Sequence, residues 1–273
     1  MNVTMKLPKV LSLLFAFSLL VLGSCSEDDE STPVPGQQTC RPVKVTSEGL
    51  VSNITYTNDK ITNFSTEGYG NATVSYHSAG NLAGKVASMA FSGGEQGKGT
   101  LEYEYDDQGL LIGTFLTILD LGGAGQVAEF TYTNGRISKI TRTMVFPSED
   151  EGEGPFMISM GYTTYTYDSQ GNVLKATDYD ADSETPDHTI EYTYDTKSNP
   201  SAGIEAFMVG LPGMNPASGN NILTAIYKEG NTVDKDNSYS NAYVFNSSGY
   251  ATKITSTTQN GEVTVTNIDY SCN

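Results

Sequence analysis

The chain has 273 residues, with 15 Lys or Arg against 32 Asp or Glu, and a formal net charge of −17. This excess of carboxylates excludes the binding of nucleic acid or anionic lipid by charge, because such binding needs a surplus of Lys and Arg. The length allows one large domain with a hydrophobic core.

The N-terminus predicts export and lipidation. Lys6 and Lys9 precede an apolar stretch, Val10–Leu22, which is shorter than the roughly 20 residues of a spanning helix and suits the core of a secretory signal. The stretch runs into Gly23-Ser24-Cys25, which resembles the bacterial lipobox. That resemblance implies cleavage after residue 24 and a diacylglycerol on Cys25. The alternative is an ordinary signal peptide followed by a chance cysteine.

An acidic, linker-like segment follows Cys25. The run Ser26-Glu27-Asp28-Asp29-Glu30 is either a solvated tether or, by resemblance, the acidic tag that sends Bacteroidetes lipoproteins to the outer face of the outer membrane. Residues 31–42 are rich in Pro, Gly, Gln and Thr, which is linker composition. We therefore divide the chain into a signal peptide (1–24), a lipidated acidic tether (25–43) and a β domain (44–273).

One phrase recurs along the β domain: two aromatic residues separated by one polar residue, a turn, and then apolar residues. The alternation predicts strands with the aromatic residues on one face, and Asn-Gly or Asp-x-x-Gly predicts the hairpin turns. Complete copies begin at Ile54, Leu101, Phe130, Tyr165 and Tyr243, and a sixth begins at Tyr192 but runs into Asn199-Pro200. Asn260-Gly261 predicts one more hairpin.

After the turn, the apolar spacing is often three instead of two, as in Ile61 to Phe64, Ile137 to Ile140 and Val173 to Ala176. A regular strand would place the members of each pair on opposite faces. Either both faces are partly covered, or a β-bulge returns both residues to one face. We favour the bulge, because bulges bend a sheet and help it to curl.

Residues 201–221 differ in composition and apolar spacing from the rest of the chain. Ile204, Phe207, Met208 and Leu211 follow the i, i+3, i+4, i+7 spacing of a helix face, but glycines and prolines interrupt the segment. We predict a short helix or an apolar loop that covers an open end of the sheet.

Three cysteines remain after signal cleavage. Cys40 and Cys272 lie at the two ends of the β domain, and an exported protein can keep a disulfide between them. Such a bridge would join the first strand to the last. The alternative is a pair of free thiols.

The Tyr-x-Tyr-Asp-x-x-Gly phrase, complete at Tyr165–Gly171, resembles the YD repeats of RHS-type β proteins. With the lipobox and the acidic tag, residues 45–273 resemble a family of Bacteroidetes lipoproteins of unassigned function with a porin-like, half-barrel β fold. We therefore predict an all-β antiparallel meander of hairpins, curled into a half-open barrel. The polar strand faces, which carry Glu102, Glu104 and Thr131, predict a water-facing exterior, so the lipid alone would join the protein to the membrane.

The search for chemistry gives few candidates. Asp178, Asp180 and Asp182 alternate like the start of a calcium loop, but Ser183 and Thr189 stand where an EF-hand needs Gly and Glu. An acidic hairpin tip is the simpler interpretation, with Ca²⁺ as a weak alternative and no other cofactor expected. The sequence contains no zinc-binding His-Glu-x-x-His motif and no Gly-x-Ser-x-Gly nucleophile motif.

Three functions remain open from the sequence. The first is a surface lipoprotein, not an enzyme, that binds an extracellular glycan or peptide in the concave face of the sheet. The second is a structural or interaction component of the cell envelope with envelope proteins as partners. The third is a hydrolase whose catalytic carboxylates the sequence does not single out. A filled interior would favour the second.

Overall fold

A computed structural model describes residues 40–93, 97–148 and 154–272. Within these ranges the fold is almost entirely β, and the helical structure is limited to α1 (Ala202–Glu205) and two 3₁₀ turns, Gly80–Leu82 and Leu119–Leu121. The sixteen strands are β1 (Cys40–Ser47), β2 (Leu50–Thr57), β3 (Lys60–Thr66), β4 (Gly70–Tyr76), β5 (Val86–Ser92), β6 (Lys98–Tyr105), β7 (Leu111–Ile118), β8 (Ala124–Thr133), β9 (Arg136–Phe146), β10 (Phe156–Tyr167), β11 (Val173–Tyr179), β12 (His188–Ser198), β13 (Asn220–Glu229), β14 (Thr232–Phe245), β15 (Ala251–Thr258) and β16 (Val263–Cys272). Residues 40–43, assigned to the tether from sequence, belong to β1.

The strands form a closed barrel in which each strand pairs antiparallel with its neighbours in sequence. The prediction of a half-open barrel is therefore wrong. β1 pairs with β16 from Cys40↔Cys272 to Ser47↔Thr266, so the two strands that would have been edges satisfy each other. The paired residues are far apart in sequence, and no local pattern of residues predicts that they pair.

Because consecutive turns alternate between the two ends of the barrel, each end has its own set of segments. The proximal rim carries Cys40, Cys272, the turns at 58–59, 77–85, 106–110, 134–135, 168–172 and 246–250, and the insert at 199–219. The distal rim carries the described turns at 48–49, 67–69, 119–123, 180–187, 230–231 and 259–262.

The predicted bulges are confirmed. The register shifts between Thr55 and Tyr56 opposite β3, between Thr131 and Tyr132 opposite β9, and between Thr166 and Tyr167 opposite β11. Each shift adds one residue to the strand after the turn and returns the next apolar side chain to the interior. The predicted pairs accordingly lie inside the barrel: Ile61 with Phe64, Ile137 with Ile140, and Val173 with Ala176.

The interior of the barrel is filled. The alternation of each strand buries one face, as in β6, where Leu101 and Tyr103 are buried and Glu102 and Glu104 are exposed. The buried wall residues form two clusters, one centred on β1–β7 and the other on β8–β13. The insert, residues 199–219, joins both clusters through its own apolar side chains: Ile204, Met208, Leu211 and Met214 in the first, and Val209 in the second.

Candidate functional site

A tyrosine stands near the proximal end of every even-numbered strand and bonds to the strand before it. Seven of these hydroxyls donate to a backbone carbonyl oxygen at 2.6–2.9 Å, and the eighth, Tyr105, bonds the backbone of Val86. The seven pairs are Tyr56 with Pro42, Tyr76 with Ile61, Tyr132 with Leu111, Tyr167 with Ile137, Tyr194 with Val173, Tyr243 with Ile222, and Tyr270 with Ala251. The recurring phrase is thus the sequence form of one repeated cross-strand bond.

Cations cover several of these rings at the proximal rim. The Arg41 guanidinium lies 4.7 Å from the centre of the Tyr56 ring, and the Lys60 ammonium lies 4.8 Å from that of Tyr76. Burial raises the pKa of Tyr56 to about 12, although Arg41 acts in the opposite direction. Rings that hold the sheet and carry a cation on one face are poorly placed to stack on a sugar.

The insert is a plug that bonds to the barrel wall from inside. Tyr103 donates a hydrogen bond to the Phe207 carbonyl, and the Gln126 side chain donates to the Gly210 carbonyl at 2.9 Å. A Cβ atom on Gly210 would lie 2.3 Å from the Thr114 hydroxyl oxygen, so the plug backbone presses directly on the wall. The segment contains a short helix and an apolar loop, as the sequence predicts. It does not only cover an end of the sheet, because its side chains pack inside the barrel against both clusters.

Glu205 on α1 is the buried group that the sequence did not reveal. Its side chain is 1% exposed, and neither carboxyl oxygen has a hydrogen-bond partner among the described residues. Burial raises the pKa of the Glu205 carboxyl well above its usual range. The group is therefore held neutral inside the plug, because an ionised carboxylate without a partner is costly in an apolar interior.

A charged cluster lines the interior of the barrel near the distal rim, on β9–β12. Arg142 donates to the Thr163 hydroxyl at 2.7 Å, and Thr163 donates in turn to Asp178. His188 lies between two carboxylates, with Nε2 2.9 Å from Asp178 and Nδ1 3.1 Å from Asp187.

The electrostatics favour the ion-pair form of this cluster. The hydrogen bond with Asp178 raises the pKa of His188 to about 9, against desolvation and with help from Asp187. Desolvation acts to raise the pKa of Asp178, but hydrogen bonds from His188 and Thr163 outweigh it and the pKa falls. An imidazolium with both nitrogens bound to carboxylates has no lone pair to accept a proton at neutral pH.

The three aspartates predicted as a weak calcium site are not brought together. The Asp178 side chain belongs to the charged cluster, whereas Asp180 and Asp182 are exposed in the turn at 180–187. In the described part of the chain, no group of three or more His, Cys, Asp or Glu side chains is placed to hold a metal ion.

Of the three cysteines, Cys25 lies outside the described residues. Cys40 and Cys272 form a disulfide that links β1 to β16 at the proximal rim. The bridge and the β1–β16 ladder close the barrel at the same seam.

Comparison with known proteins bears on the fold. No protein-family model and no curated protein matches the sequence. Two solved structures resemble the barrel. A porin-like protein from Bacteroides vulgatus ATCC 8482 matches with a TM-score of 0.52 at 13% identity, over 85% of this chain and 99% of that one. A porin-like protein from Bacteroides uniformis ATCC 8492 matches with a TM-score of 0.38 at 12% identity, over 84% of this chain and 96% of that one.

The chain has a porin-like fold. In this porin-like barrel most outward-facing residues of the repeats are polar. Glu102, Glu104, Thr131, Thr166 and Thr193 are all exposed, and Leu174 and Val244 are apolar exceptions. Strands that face lipid carry an apolar outer face instead. Within the described ranges, no helix is long and apolar enough to cross a membrane.

An apolar segment of the porin-like barrel lies exposed at the distal rim. β10 begins with Phe156-Met157-Ile158-Ser159-Met160, and its four apolar side chains are 41–64% exposed. Leu119 and Leu121, in the turn between β7 and β8, are also exposed at this rim. The signal in the sequence is the run of three consecutive apolar residues, Phe156–Ile158, which does not show the alternation of a half-buried strand.

Proposed function

We propose that this chain is a lipid-anchored interaction component of the bacterial cell envelope, without enzymatic activity. The observation that carries the proposal is the plug, whose apolar side chains pack against both interior clusters of a barrel with a mostly polar outer face. A filled lumen offers no aqueous path, and a polar exterior suits water better than lipid. The similarity to porin-like proteins of Bacteroides supports an envelope location.

The N-terminal sequence supplies the anchor in this proposal. Residues 1–24 are removed as the signal, and Cys25 carries the lipid. The 14 residues between Cys25 and Cys40 span at most about 50 Å, so the proximal rim would lie within that distance of the membrane. The acidic run after Cys25 favours the outer surface.

The filled interior separates this proposal from binding of a glycan or peptide in a concave face. The repeat tyrosines are used in cross-strand bonds, and the plug packs against both interior clusters. What stays accessible is the exterior and the rims. An interaction through the distal rim is therefore better supported than binding in the lumen.

Three measurements test the proposal. Growth with radiolabelled palmitate should label the protein, Cys25→Ser should abolish the label, and protease treatment of intact cells should release the β domain. Purified protein added to a planar lipid bilayer should produce no ion conductance. An unlabelled wild-type protein would refute the anchor, protection from protease would place the domain in the periplasm, and steady conductance would refute the filled, non-spanning barrel.

A further inference from the structure

The first residues of β10 form a free strand edge at the distal rim. Phe156 pairs with Phe146, Met157 with Val145 and Ile158 with Met144 of β9. On its other side, β10 pairs with β11 only from Tyr162↔Tyr179 onward. Among the described residues, no backbone hydrogen bond is made on that side of Phe156–Met160.

This edge lacks the charged side chains that usually protect against pairing, although the register shifts between Ser159 and Tyr162 and Pro155 precedes the strand. Natural edge strands carry lysine, proline or inward-pointing charges that discourage the addition of another strand. Here the side chains of Phe156, Met157 and Met160 are 64%, 57% and 55% exposed, and the segment from Phe156 to Gly161 contains no charged residue. The edge exposes unpaired amides and carbonyls together with apolar side chains.

The neighbouring surface is acidic. The turn at 180–187 follows β11 beside this edge, and Tyr162 donates a hydrogen bond to the Ser183 carbonyl at 3.3 Å. The turn carries Asp180, Asp182, Glu184 and Asp187, all exposed. No described turn of the distal rim contains Lys or Arg. Asp187 is paired with His188, whereas Asp180, Asp182 and Glu184 have no cation within their own turn.

We propose that the free edge of β10 binds an extended, cationic segment of a partner polypeptide by strand addition. Backbone bonds to Phe156–Met160 would supply affinity, apolar side chains of the partner would cover the exposed methionines, and its Lys or Arg would face the turn at 180–187. This inference rests on the proposed function, since it names the partner chemistry of the same interaction protein.

Charge repulsion and backbone hydrogen bonding argue against two other occupants of this edge. A second copy of the chain pairing edge to edge would bring two acidic turns together, which like-charge repulsion opposes. A lipid surface would leave the free amides and carbonyls of the edge without partners in hydrocarbon. A cationic strand satisfies both the backbone and the carboxylates.

The test uses the full purified chain and a fluorescent heptapeptide of alternating lysine and isoleucine, with binding followed by anisotropy. Three peptides are compared: this probe, the same probe with N-methylated backbone amides, and an alternating glutamate–isoleucine peptide. We expect binding of the first only, because N-methylation removes the amide donors and glutamate reverses the charge.

Two protein variants locate the site. Met160→Lys places a like charge on the edge and should weaken binding of the lysine probe by about tenfold. Val263→Lys, at an equally exposed position on β16 (59%), should leave binding unchanged. Equal weakening by both variants, or equal binding of all three peptides, would overturn the inference. So would a dimer in ultracentrifugation that Met160→Lys dissociates, because the edge would then belong to a second copy.

These outcomes are independent of the test of the proposed function. A protein that carries palmitate and shows no conductance but does not bind the lysine probe would contradict the strand-addition site alone. A conducting protein would contradict the proposed function whether or not the peptide binds.

Discussion

At the scale of a single residue, Glu205 should make the free energy of unfolding depend on pH. Burial raises the pKa of its carboxyl, so the folded state holds a proton that the unfolded chain releases near its ordinary pKa of about 4.3. Stability should therefore fall by about 1.4 kcal/mol per pH unit above that value, until the folded pKa is passed. Glu205→Gln should remove this slope and be the more stable protein at pH 8, as measured by urea denaturation at several pH values.

Glu48 provides the control for that experiment, since it is exposed in a turn of the distal rim. Glu48→Gln should leave the pH profile of the wild type unchanged. If the Glu205→Gln and wild-type profiles ran parallel from pH 5 to 8, the carboxyl would not be neutral in the folded state.

His188 responds to pH in a different range. Its pKa of about 9 depends first on the hydrogen bond with Asp178, so its contribution to stability is complete below about pH 6.5 and is lost as pH rises through 9. In Asp178→Asn the pKa of His188 should fall toward 6.5, which NMR titration of the imidazole protons measures. Asp180→Asn, which changes an exposed carboxylate of the same acidic run, should leave the pKa of His188 near 9. If the pKa of His188 did not shift in Asp178→Asn, Asp187 alone would stabilise the protonated imidazole.

At the scale of the element, the repeat is a hairpin fastened by one hydroxyl. Tyr167 donates to the Ile137 carbonyl at 2.6 Å, and Tyr167→Phe keeps the ring while removing that bond. We expect a loss of about 1 kcal/mol in the free energy of unfolding, measured by chemical denaturation. In Tyr179→Phe the ring stacked on Tyr162 is kept, and no hydroxyl bond is lost among the described residues, so the change should be near zero; equal losses in the two variants would show that the hydroxyl bond adds nothing.

The hairpin could be predicted from the sequence because its causes are local. The Asn134-Gly135 turn adopts positive φ at both residues, 53° and 75°, and the three-residue apolar spacing fixes the bulge. The path of the plug could not be predicted, since Ile204 and Met208 fit a helix face equally well on a rim or in a lumen. The partners of His188 were also hidden, because Asp178 joins it only through the β11–β12 pairing.

At the scale of the molecule, closure depends on the seam between β1 and β16. Local patterns specify hairpins, and a chain of hairpins is compatible with an open sheet, a half barrel or a closed one. Closure needs the first and last strands to match in register, and here Val45 faces Ile268 while Thr266 donates to Ser47 at 3.0 Å. A closed barrel has no edges at that seam, so the free edge of β10 lies at a rim, where Phe156–Met160 extends past β11.

The Cys40–Cys272 disulfide should stabilise the whole barrel. It closes a loop with a sequence separation of 232, and the chain-entropy estimate for so long a loop is about 5 kcal/mol. Cys40→Ser with Cys272→Ser should lower the free energy of unfolding by about 2–5 kcal/mol without opening the barrel, because the β1–β16 ladder and the bond from Thr266 to Ser47 remain. Denaturation with and without reductant measures this: the wild type should lose stability in reductant while the double variant does not. Two alkylatable thiols at Cys40 and Cys272 in native protein, or a wild type indifferent to reductant, would mean that the strand ladder alone closes the barrel.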